Sequence, residues 1–226
     1  MWLGELEYFK KDYNPVAVNL PGHGLSPPPA STTIEGYAKF VLELADALEL
    51  ERFFLVGLSM GGAISQEIAL QAPERLLGLA LLSTGAKLRV FPELFDIIRN
   101  NWQAYLKLFP DWAFSKNASP QVIEQSLKEL SKRDPEVVEA DFRACDAFDR
   151  LNEVKNIKVP TLIISASLDR LTPPKYSDYL HEQIPDSELV RIEDAGHIVN
   201  LEKPKEVKEA LARFFQKILK NAGEEK

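Results

Sequence analysis

Scarcity sets the first bounds on this chain. Of its 226 residues, Cys145 is the one cysteine, two are methionine and three are histidine. A lone cysteine excludes an internal disulfide and a thiolate-rich metal site, and it fits a reducing, cytoplasmic compartment. No apolar run approaches the roughly 18 residues needed to cross a bilayer, so no membrane partner is expected. The opening "MWLGELEYFKK" lacks the basic region and apolar core of a signal peptide. Positive charge is also short: 27 Lys and Arg face 34 Asp and Glu, a net charge of −7. That balance excludes the electrostatic footprint of a nucleic-acid binder.

What is present alternates in texture. Short apolar runs end in Gly, Pro or Ser, and longer stretches place apolar residues every three or four positions. The pattern predicts an α/β fold, a mostly parallel sheet with helices on both faces. Candidate strands are "PVAVNL" (15–20), "RFFLVG" (52–57), "LLGLALLS" (76–83), "PTLIISAS" (160–167) and "ELVRIE" (188–193). They are apolar almost throughout, as strands covered on both faces are. Thr32 and Glu35 have the spacing of a capping box ahead of a stripe of Ile34, Tyr37, Val41, Leu44, Ala45 and Leu48. Further helices are expected after Ser59 up to Pro73, over 174–183, and from Pro204 onward. Residues 86–155 break the rhythm with helical periodicity, no strand, and seven aromatics between Phe91 and Phe114.

"GLSMG", residues 57–61, fits the G-x-S-x-G pattern between an apolar strand and a helix. At such a turn the serine hydroxyl stands clear of the sheet's carboxyl end, and glycines at 57 and 61 are expected to let strand and helix approach, with Gly62 giving further room. A serine needs a base, and the base needs a carboxylate to set its tautomer. His23 precedes Ser59 in "LPGHGLS", and His181 lies inside an amphipathic helix. His197 follows the last strand and is therefore the expected base. Asp169 leaves the preceding strand at the same end of the sheet, whereas the segment after 76–83, "TGA", has no acid. Asp194, on the histidine loop itself, is the rival carboxylate. Cys145 has no histidine near it in sequence and reads as a packing residue.

Ser59, Asp169 and His197, in that order on an alternating scaffold, resemble the α/β-hydrolase fold superfamily. "VAVNLPGHGLS", "VGLSMGGAISQEIALQAPERLLGLALLST", "VPTLIISASLDRLTPP" and "IEDAGHIVNLEKPKEVKEALARFF" are each similar to segments of its small esterase-like members. The resemblance implies a core in two parts, 1–85 and 156–226, with 86–155 as a helical cap over the active site. It implies Ser59 as nucleophile, His197 as base, Asp169 as the orienting acid and the Met60 N–H as an oxyanion donor. Members also carry earlier strands, one ending in a His-Gly loop that supplies a second donor. No such motif precedes "WLGELEYFKKDY", so an N-terminally shortened form is expected, the alternatives being that the strands at 15–20 and 52–57 close up or that another chain, as in a homo-oligomer, completes the sheet. Asn19 stands where an aspartate is common and Ala166 where a glycine is frequent.

The expected activity is hydrolysis of carboxylic esters, lactones or thioesters of small to medium apolar molecules, without a metal or organic cofactor. Trp102, Phe109 and Trp112 are expected to line the substrate pocket, to hold the cap helices together, or to do both. A ligand-binding module on a hydrolase scaffold, a cofactor-free peroxidase and a carbon–carbon bond hydrolase are the competing readings.

Overall fold

The computed structural model describes residues 1–224. Four parallel strands, β1 (Phe53–Leu58), β2 (Leu76–Leu82), β3 (Thr161–Ala166) and β4 (Ser187–Ile192), lie in that order across one sheet. Their near-continuous apolar sequence follows from cover on both faces. Side chains alternate along a strand, so Leu79, Leu81 and Ile163 point into one cluster, whereas Ala80, Leu82, Leu162 and Ile164 point into another. The first cluster is closed by α2 (Ile34–Ala47), α3 (Met60–Gln71) and α8 (Pro174–Gln183). The second is closed by α1 (Leu3–Phe9) and α10 (Pro204–Glu224), through Phe9, Val207, Leu211, Phe214 and Phe215. Burying side chains of this size stabilises the fold by about 1.5–3 kcal/mol each.

Two sequence expectations are corrected. Residues 15–20 form no strand: they run without sheet pairing, and Val16 is 54% exposed. Among the described residues β1 pairs only with β2, so no neighbouring strand offers 15–20 a ladder. An apolar run becomes a strand only where its backbone groups find partners. The cap of α2 is Thr33 rather than Thr32, its hydroxyl accepting from the Gly36 N–H at 3.1 Å.

Between β2 and β3 the chain leaves the sheet as α4 (Glu93–Asn100), α5 (Trp102–Ala113), α6 (Pro120–Leu130) and α7 (Pro135–Ala147). The neck of this insertion is an antiparallel bridge between Lys87 and Asp149, with Arg150 N–H donating to Ala86 O at 2.7 Å. Arg150 then reaches Glu67 on α3 at 2.8 Å and Glu35 on α2 at 2.5 Å, fixing the neck to the core. A short helix, α9 (Val199–Glu202), sits between β4 and α10.

Candidate active site

The sheet delivers three loops to its carboxyl end. Ser59 follows β1 directly and has φ 54° and ψ −117°, a conformation that costs a non-glycine residue about 1–3 kcal/mol. Its backbone is over-determined: its N–H donates to Leu82 O at 2.9 Å, and its carbonyl accepts from Thr84 Oγ1 at 2.8 Å. The turn is tight enough that a Cβ on Gly57 would lie 2.1 Å from Gly61 O, and one on Gly62 would lie 2.6 Å from Thr84 Cγ2. A Cβ on Gly61 would meet nothing within 4 Å, which corrects the expectation that 61 is a crowded position. It is the carbonyl of Gly61, not its Cα, that faces the strand. Met60 opens α3, and its N–H is uncommitted among the described residues, as first-turn donors of a helix are.

The loop after β3 brings Asp169 against the loop after β4. His197 Nδ1 lies 2.9 Å from Asp169 Oδ2 and 3.1 Å from Oδ1, and both side chains are buried. The carboxylate also accepts from the N–H groups of Leu171 and Thr172, each at 2.9 Å, and from Thr172 Oγ1 at 2.8 Å. Burial pushes the Asp169 carboxyl up, but the His197 charge and hydrogen bond and the two Thr172 donors outweigh it and hold the group below its ordinary range. Nδ1 is thereby committed as a donor, which leaves Nε2 as the basic nitrogen. Asp194 has φ 55°, and its N–H donates to Ser167 Oγ; no hydrogen bond joins it to His197 among the described residues.

Ala195 and Val199, flanking His197, pack in the same apolar cluster as Leu58, which precedes Ser59. The histidine loop and the residue before Ser59 thus border the same apolar layer of the sheet. No hydrogen bond joins Ser59 Oγ to His197 among the described residues. Such contacts are often loose until substrate is bound.

The other histidines lie elsewhere. His181 bonds to Ser187 at 2.9 Å at the surface. His23 contacts Asp141 on α7 at 2.8 Å and Pro21 O at 3.1 Å, and Asp141 accepts from Tyr37 OH at 2.6 Å. The Pro21 contact is the local backbone bond expected of a loop histidine, whereas Asp141 is 118 positions away and nothing in the sequence pairs it with His23. Cys145 is buried in the core, and that burial raises its thiol pKa far above the ordinary value. Trp102 stacks on Tyr105 at 5.0 Å, Phe109 lies 6.1 Å from Phe114, and Trp112 meets Phe91 edge-on at 5.6 Å. All three pack among the helices of the insertion, and Phe109 also joins Phe114 and Ile198 beside His197. Among the described residues no three of His, Cys, Asp and Glu cluster as a metal site requires, and no helix is long and apolar enough to cross a membrane.

Residues 1–210 match the profile of the Alpha/beta hydrolase family. The uncharacterized hydrolase YugF of Bacillus subtilis (strain 168) is 30% identical over 223 residues, covering 90% of this chain and 81% of that protein. The enol-lactonase of Burkholderia xenovorans LB400 superposes with a TM-score of 0.90 at 27% identity, over 95% of this chain and 85% of that one. A solved thermophilic esterase gives a TM-score of 0.80 at 37% identity, over 88% of this chain and 79% of the other.

Proposed function

The chain belongs to the alpha/beta hydrolase family, and on that premise we propose that it is a serine hydrolase of carboxylic esters and related lactones or thioesters. Ser59 Oγ attacks the substrate carbonyl carbon while His197 Nε2 takes the hydroxyl proton. Asp169 holds Nδ1 and stabilises the imidazolium that forms. The Met60 N–H donates to the oxygen on which negative charge develops, and a single donor of this kind is worth about 10²–10³ in turnover. Collapse of the tetrahedral adduct expels the alcohol, which receives the proton from His197. Water, deprotonated by the same nitrogen, then attacks the acyl-Ser59 ester and releases the acid. Each proton borrowed is returned, so no cofactor enters the balance.

The observation that carries this reading is the buried His197–Asp169 pair, donated by loops at the sheet end where Ser59 stands strained. The aromatic insertion supports small to medium substrates with an apolar part. In this reading 86–155 is a cap over a core made of 1–85 and 156–226. Trp102, Phe109 and Trp112 would present their partly exposed faces to substrate. Hydrolysis of enol-lactones and esters by similar proteins agrees with that class.

Steady-state assays with p-nitrophenyl acetate, butyrate and decanoate, beside an aliphatic γ-lactone, test the proposal. Turnover of the short esters or the lactone, abolished in Ser59→Ala, supports it. A folded chain that binds these compounds without turning them over supports a ligand-binding module instead.

A further inference from the structure

Glu202 closes α9 five residues beyond His197, and its carboxylate points back along the chain. It accepts from the Gly196 N–H at 3.0 Å and from the Ser115 N–H at 3.2 Å. Gly196 is the residue before His197, and Ser115 lies just past the end of α5 in the insertion. One side chain thus ties two segments that no regular element joins.

The seam it closes is close-packed. A Cβ on Gly196 would lie 2.4 Å from Ser115 N, 2.7 Å from Phe114 C and 2.7 Å from Glu202 Oε1, so the two loops are in direct contact. Ile198 N–H donates to Ala113 O at 3.2 Å, on the other side of His197. Phe114 and Ile198 bury their side chains together. Asp169 fixes the imidazole at Nδ1, but a ring held at one nitrogen still needs its backbone fixed to aim the other. Two N–H groups on carboxylate oxygens are charge-assisted bonds, stronger than bonds to a neutral acceptor.

From this geometry we infer that Glu202 is a positioning residue: it sets the backbone on which His197 is mounted and locks that backbone to the insertion. The inference rests on His197 acting as the base for Ser59. A consequence is that movement of the 113–115 segment displaces the base as well, so the insertion and the catalytic loop shift as one unit.

The test compares Glu202→Ala, Glu202→Gln and Ser115→Pro with Ser59→Ala and His197→Ala on a p-nitrophenyl ester. Glu202→Gln keeps one accepting oxygen. Ser115→Pro deletes the insertion's N–H, together with the Ser115 Oγ that accepts from the Asn117 N–H at 3.2 Å, and Phe114 already has the extended backbone that precedes proline, φ −120° and ψ 152°. Expected is a fall in kcat of about 10- to 100-fold for Glu202→Ala, the size of a displaced catalytic group. Glu202→Gln should recover part of it. KM should change far less than kcat, and the acid limb of the kcat/KM profile should move. Variants that lose only thermal stability, with kcat and the pH profile intact, overturn the inference while leaving the triad standing. If Ser59→Ala and His197→Ala both retain full turnover, the triad reading itself is what fails. Should Glu202→Ala not fold, Glu202→Gln and Ser115→Pro carry the same comparison.

Discussion

Both carboxylate oxygens of Asp169 lie within hydrogen-bonding distance of a single atom, His197 Nδ1, at 2.9 and 3.1 Å. Three further donors from Leu171 and Thr172 hold that carboxylate in place. The pair is thus built from two loops that also bond to each other, Leu168 N–H to Ala195 O at 2.9 Å and Asp194 N–H to Ser167 Oγ at 3.0 Å, and it decides which histidine nitrogen carries a proton.

Asp169→Asn reverses that decision, because an amide N–H facing Nδ1 forces the proton onto Nε2. A kcat lower by about 10³–10⁴-fold is expected with the fold kept. Ester kinetics beside far-ultraviolet circular dichroism check both halves. The same carboxyl titrates below its ordinary 3.8, so its contribution to stability is present above that value. It is lost as pH falls through the lower folded value.

His23 gives a dependence of opposite sign. Its two ring nitrogens face acceptors only, the Pro21 carbonyl and the Asp141 carboxylate, so the doubly protonated ring satisfies both. Burial disfavours that cation, and so does Arg133 nearby, but the Asp141 bond and charge prevail and raise His23 above 6.5. A raised base stabilises fully below its unfolded value and loses that stabilisation as pH rises through the folded one. Urea unfolding of the native protein and His23→Gln should differ most below pH 6.5 and converge as pH rises through the raised folded value. A difference independent of pH contradicts the ion pair.

The elbow separates two glycines that look equivalent in "GLSMG". Gly57→Ala forces a Cβ to within 2.1 Å of Gly61 O, backbone that cannot yield cheaply, and a loss of about 3 kcal/mol or more is expected. Gly61→Ala meets open space within α3 and is expected to be neutral or to stabilise by up to about 1 kcal/mol. Thermal unfolding of the two variants distinguishes them.

Much of this was legible in the sequence, for identifiable reasons. Strand–Gly–x–Ser–x–Gly–helix is a local pattern, and α8 begins and ends where Pro174 and the apolar spacing require. His197 and Asp169 were reachable because a parallel sheet sends every strand's following loop to one end. The His23–Asp141 pair and the Glu202 seam were not legible, since each depends on where the insertion folds back, 118 and 87 positions away. Residues 15–20 misled for a related reason: their apolar character is local, but a strand's existence depends on a neighbour.

The central claim, that Ser59 is a nucleophile activated by His197, is tested most directly by mapping the product of a fluorophosphonate probe by peptide mass spectrometry. A single phosphonyl adduct is predicted on Ser59, with labelling absent in Ser59→Ala and strongly slowed in His197→Ala. An unlabelled, folded native protein, or an adduct carried by any other residue, would contradict it.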